Sequence, residues 1–110
     1  MAAYTELTIE QGATFSTVVN VEDIYGGAIN LDSYTTDSMM RKSYYSNTFY
    51  TITSTISNAA NGEITLSMSA ANSALLTSGR YVYDVIIEDS SNTVTRVIEG
   101  IVTVLPSVTR

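Results

Sequence analysis

Gly79-Arg80-Tyr81-Val82-Tyr83-Asp84-Val85-Ile86-Ile87-Glu88 carries Tyr81, Tyr83, Val85 and Ile87 on one parity and is rich in β-branched and aromatic residues. That is the pattern of a pleated strand with one buried face, and it predicts a central strand whose Val82, Asp84 and Ile86 look the other way. Immediately upstream, Ser69-Ala70-Ala71-Asn72-Ser73-Ala74-Leu75-Leu76 reads as one or two helical turns over Ala70 to Leu76, opened by a serine cap and stopped near Gly79. A short helix is therefore expected to feed directly into the strand.

Gly79-x-Tyr81-x-Tyr83 after such a turn resembles the corner before strand F of immunoglobulin-like sandwiches, where a tyrosine hydroxyl bonds back to upstream backbone. On that resemblance Tyr81 is the corner tyrosine and Tyr83 stands where antibody domains carry a cysteine. The chain has no Cys, so the resemblance extends to the sandwich and not to antibody domains. Both tyrosines are read as packing residues with satisfied hydroxyls, in preference to a stacking platform for sugar.

The rest of the chain repeats the period-two pattern. Leu7 and Ile9 alternate with charged or polar neighbours in a short edge strand over Glu6 to Glu10, and Phe15, Thr17, Val19 and Val21 share one parity between Thr14 and Val21. Glu22 to Gly27 reads as a hairpin or corner in preference to a metal loop. Further strands are expected over Thr36 to Ser43, Phe49 to Ile56 and Gly62 to Met68, the last with Ile64, Leu66 and Met68 inward. Between the first two of these, Tyr44-Tyr45-Ser46-Asn47-Thr48 reads as an exposed tip, the loop best suited to touch a partner. Asp89-Ser90-Ser91-Asn92 joins the central strand to a final strand over Thr93 to Leu105, ended by Pro106. Short, evenly spaced strands predict an all-β chain: a single antiparallel, immunoglobulin-like β-sandwich domain over residues 1–110, with one short helical turn before the central strand.

Composition narrows the function. Five Lys plus Arg in a chain of formal charge -6 provide no basic stripe for a phosphate backbone, so no nucleic-acid partner is expected. With neither His nor Cys, imidazole catalysis, thiol chemistry and zinc sites are not available. Asp23, Asp32, Asp37, Asp84, Glu88, Asp89 and Glu99 are the carboxylates that could do acid-base work, but they fall in no catalytic motif, and a small domain offers little cleft for a sugar. The chain is read as non-enzymatic, without cofactor or metal and without a small-molecule substrate. Asp89 to Asn92 lacks the spacing of a calcium loop. No apolar run approaches a membrane span and no signal peptide is visible at Met1 to Glu6.

The last hairpin holds the anomaly. If Tyr81, Tyr83, Val85 and Ile87 face inward, Val82 and Ile86 face outward, and pairing is expected to set Val97 and Ile101 beside them with Asp84 and Glu99 interspersed. Four apolar side chains together on adjacent strands predict a surface covered by another subunit or by the other sheet.

Leu7-Thr8-Ile9-Glu10-Gln11-Gly12-Ala13-Thr14-Phe15, Gly62-Glu63-Ile64-Thr65-Leu66-Ser67-Met68-Ser69-Ala70-Ala71, Gly79 to Val85, Val94-Thr95-Arg96-Val97-Ile98-Glu99-Gly100 and Val108-Thr109-Arg110 together resemble small virion structural proteins of tailed bacteriophages, of the marine and cyanobacterial myovirus type. They are similar also to the N-terminal β-sandwich modules of baseplate and fibre proteins. The resemblance implies a virion component, associated with tail, baseplate or fibre, that forms homo-oligomers or docks on other virion proteins. A capsid decoration protein on the head and a carbohydrate-binding module for the host surface are the alternatives. No catalytic or binding residue carries over from the family.

Overall fold

The computed structural model describes residues 3–22, 27 and 29–108. Among these, eight strands and one short helix follow one another as β1 (Ala3–Tyr4), β2 (Leu7–Glu10), β3 (Phe15–Asn20), β4 (Thr35–Arg41), β5 (Phe49–Asn58), β6 (Glu63–Met68), α1 (Ala70–Ser73), β7 (Gly79–Glu88) and β8 (Val94–Leu105). The chain is all-β.

The strands form one sheet in the order β1-β8-β7-β4-β5-β6-β3, with β2 also paired to β8. β1 and β2 run parallel to β8, and every other ladder is antiparallel. β5 belongs to both halves: Phe49 to Ile52 pair with β4, and Thr53 to Asn58 pair with β6. The sheet therefore curls over along β5 and closes its two halves on a common core. An immunoglobulin-like sandwich is a finer statement than these ladders carry.

The core follows from alternation. Leu7 and Ile9, Ile64, Leu66 and Met68, and Tyr81, Tyr83, Val85 and Ile87 are buried while their sequence neighbours are not. β4 contributes Ser38 and Met40, and the hydroxyl of buried Ser38 donates to the Asp84 carbonyl at 2.7 Å. That bond removes most of the cost of placing an oxygen there.

The helix is shorter than the sequence predicts. Ser69 Oγ accepts the Asn72 N–H at 3.2 Å, the expected cap, but α1 stops at Ser73 and the chain continues to Leu76 in turns. From Leu75 onward the backbone tightens: the Leu75 and Leu76 N–H groups donate to the Asn72 and Ser73 carbonyls, three residues back, both at 3.1 Å. Buried Ser73 accepts the Gly12 N–H (3.1 Å) and donates to the Ala13 carbonyl (2.7 Å), while Gln11 Nε2 donates to the Leu76 carbonyl (2.6 Å). The β2–β3 turn thus holds both Ser73 and the Leu76 carbonyl, an acceptor that a helix ending here leaves without a partner of its own. The turn expected over Glu22 to Gly27 falls mostly on Asp23 to Gly26, outside the described residues, as do Thr109 and Arg110 of the tail.

At the β5–β6 turn, Gly62 has φ +67 and a Cβ there would stand 2.7 Å from the carbonyl oxygens of both Ile29 and Val21. Only glycine fits this approach without moving backbone.

Candidate functional site

The β7–β8 hairpin decides which side chains share the outer face of the sheet. Its register pairs Val82 with Ile101, Asp84 with Glu99 and Val85 with Ile98, then slips by one residue so that Ile86 faces Arg96. The residue left over at this bulge is Val97, which packs against the core. An uninterrupted ladder would put Val97 outward and Arg96 inward. The bulge exchanges them, so the expected place of Val97 beside Ile86 is corrected: Arg96 stands there.

This exchange has an electrostatic consequence. Asp84 and Glu99 lie directly opposite each other, a destabilising pairing for like charges. Arg96 sits between them, with Nε 3.3 Å from Asp84 Oδ2 and Nη1 3.4 Å from Glu99 Oε2. β4 continues the same face, since its register sets Arg41 opposite Val82, Met39 opposite Asp84 and Asp37 opposite Ile86. The Arg41 guanidinium lies 5.0 Å from the Phe49 ring centroid and donates to the Ser46 carbonyl at 2.6 Å, which fixes the loop carrying Tyr44 and Tyr45.

Together these residues enclose a concavity of about 420 Å³, with Val82, Ile86 and Met39 as its aliphatic floor and Asp37, Arg41, Asp84, Arg96, Glu99 and Tyr44 around it. Of the expected interface residues, Val82, Asp84, Ile86, Glu99 and Tyr44 meet here. Ile101 is half-buried beside Val82 and outside the concavity, and Tyr45 is 94% exposed and stands apart from it. Sequence reading did not place Asp37, named there only as a carboxylate, nor Met39, Arg41 or Arg96 on this face. The first three could have been found from the parity of Asp37, Met39 and Arg41 against Ser38 and Met40; Arg96 could not, because nothing local announces a bulge.

Chemically, the concavity offers aliphatic contact, three carboxylates against two guanidinium groups, and a tyrosine at the rim. It contains no nucleophile poised by a base. Among the described residues, no group of three acidic side chains is placed to hold a metal ion. Asp89 is used locally: its Oδ1 accepts the N–H groups of Ser91 and Thr93, both at 2.9 Å, which is turn chemistry.

Behind this face, two tyrosine hydroxyls tie the hairpin down. Tyr81 Oη donates to the Thr77 carbonyl at 2.8 Å and accepts the Thr77 N–H at 3.2 Å, closing the corner just before Gly79. Lys42 Nζ lies 4.4 Å from the Tyr81 ring centroid. Tyr83 Oη donates to the Thr5 carbonyl at 2.7 Å, 78 residues away, and the Thr5 N–H donates to the Glu99 carbonyl at 2.9 Å. Burial, with a smaller contribution from Tyr4, pushes the Tyr83 hydroxyl up to about 12, so it remains a donor at any ordinary pH. Gly100 permits this approach, because a Cβ there would collide with the Thr5 carbonyl oxygen. Tyr83 and Gly100 therefore hold the link between β1 and β2 against β8.

No protein-family model matches the sequence, and no curated protein matches it. Solved structures do match by fold. The N-terminal domain of phage TP901-1 ORF48 aligns over 94% of this chain and 97% of that one, with a TM-score of 0.58 and 12% identity. A Listeria monocytogenes internalin-like protein, lmo2027, aligns over 94% of this chain with a TM-score of 0.50 and 18% identity; this chain spans 28% of that one. At such identities the likeness is one of fold.

Proposed function

We propose that this chain is a non-enzymatic structural protein of a bacteriophage virion, associated with tail, baseplate or fibre, and that it assembles through the outer face of β4, β7 and β8. The observation that carries the reading is the concavity on that face. Val82, Ile86 and Met39 form an aliphatic floor inside a ring of charges, with Ile101 alongside, on a sheet whose opposite face already fills the core. Covering these four side chains fully is worth roughly 1 kcal/mol apiece, since each is already partly covered, and association costs must be met from that gain. Asp84, Arg96 and Glu99 then form a charged rim that fixes the orientation of the partner more than its affinity. Support for the virion setting comes from the sequence resemblance and from the fold shared with a phage protein's N-terminal domain over nearly the whole of both chains.

The double variant Ile86→Asp and Ile101→Asp tests the assembly surface. It is expected to fold like the wild type while losing both self-association in sedimentation velocity and incorporation into particles. Unchanged sedimentation and incorporation would sink the proposal. Immunogold labelling of the particles separates a tail or baseplate position from decoration of the head.

A further inference from the structure

Curling the sheet leaves two edges, of β2 and β3, facing one cleft that shares no residue with the β7 concavity, and the two edges are built differently. Bonds from the Thr5 N–H to Glu99 and from the Gln11 N–H to Leu105, both 2.9 Å, assign the odd residues of β2 to β8, so Thr8 and Glu10 turn their backbone groups to the cleft. On the other side, the Val21 N–H bond to Gly62 (2.8 Å) and the β3–β6 register assign the odd residues of β3 to β6. Ser16, Val18 and Asn20 therefore present N–H and C=O groups along the open edge, which enters the cleft at Ser16, and no strand among the described residues pairs with them. The cleft between the edges has a volume of about 390 Å³.

Natural sheets guard an open edge with charges, proline or a bulge. β2 has Glu6 and Glu10 at its margin, but Phe15-Ser16-Thr17-Val18-Val19-Asn20 has no charge, no proline and no register shift, and Val18 is 52% exposed. β3 is thus an unguarded template about 20 Å long.

We infer that the cleft between β2 and β3 receives an extended, lysine- or arginine-bearing segment of a partner protein, which adds to the sheet along Ser16, Val18 and Asn20 while its cations face Glu6 and Glu10. Charge selects this occupant over a second copy. Two β3 edges paired with each other would bring the Glu6 and Glu10 carboxylates of both copies to one seam, in a chain of net charge -6. A basic strand meets them with the opposite sign. This surface is separate from the β7 concavity and its test is independent of the virion reading.

The probe is a blocked heptapeptide alternating valine with lysine, compared with the same peptide carrying glutamate for lysine. Titrated into the wild-type chain, the lysine peptide is expected to slow amide exchange at Ser16, Val18 and Asn20 at least tenfold, and the glutamate peptide to leave it unchanged. Val18→Pro removes one N–H from the open edge without touching a β3–β6 bond, so it should keep the fold and weaken the lysine peptide at least tenfold. Glu6→Gln with Glu10→Gln should weaken it severalfold and flatten its salt dependence. Equal binding of the two peptides, or protection confined to β7, overturns the assignment. So does self-association of the unliganded wild type that Val18→Pro abolishes, because the edge would then belong to a second copy.

Discussion

The two faces of β7 are made by the same ten residues and do opposite work. On the inner face Tyr81, Tyr83, Val85 and Ile87 are at most 4% exposed, and both hydroxyls reach backbone carbonyls on other segments. On the outer face Val82, Asp84 and Ile86 are half-buried, and the polar contact is an exposed pair of ion bridges through Arg96. Inner contacts hold the fold by burial, which is insensitive to salt and needs close packing. Outer contacts hold little by themselves and leave a surface that something else can cover. Variants on each face should therefore differ in size and in the condition that reveals them.

The largest effect belongs to Tyr83→Ala, expected to cost about 3 to 5 kcal/mol in a denaturant melt, because it removes a buried ring and leaves the Thr5 carbonyl without its donor. A loss below about 1 kcal/mol would mean that the inner face is no better packed than the outer one, and the contrast between them would fail.

A second measure uses pH. The Tyr83 hydroxyl is raised to about 12 by burial, against an ordinary value near 10 in the unfolded chain. A raised folded value means that the unfolded chain releases the proton first, so stability is fully present below about pH 10 and falls as pH rises toward 12, by about 2 kcal/mol from this group. In Tyr83→Phe that decline should be smaller by the same amount, measured as the difference between the two proteins in urea melts across this range. Parallel profiles for the two proteins would show that Tyr83 is not buried as a neutral donor.

What the sequence made legible on these two faces follows from what is local. Alternation is local, so the parity of Tyr81 to Ile87, of Leu7 and Ile9, and of Ile64 to Met68 could be read directly, and with it most of the core. The serine cap at Ser69 and the exposed Tyr44-Tyr45 tip were legible for the same reason. Pairing is not local. Parallel docking of β1 and β2 on β8, the sharing of β5 between two halves, and the Tyr83 bond to Thr5 depend on partners tens of residues away. The bulge at Val97 is the instructive miss: one extra residue reverses parity beyond it, so a strand read as uninterrupted puts Val97 on the surface and hides the arginine that neutralises Asp84 and Glu99.

That arginine gives the smallest predicted effect and the sharpest test of the outer face. Both bridges of Arg96 involve partly exposed groups, with about half of the arginine side chain accessible to solvent, so their strength is screened. Arg96→Ala is expected to cost under about 1 kcal/mol at low ionic strength, mostly through unrelieved repulsion between Asp84 and Glu99, and close to nothing at about 1 M salt, where the screening length is about 3 Å. Tyr83→Ala should lose the same amount in both conditions. A salt-independent cost for Arg96→Ala would mean that its aliphatic stem, opposite Ile86 in the ladder, contributes more than its charge, and the outer face would then share the logic of the inner one.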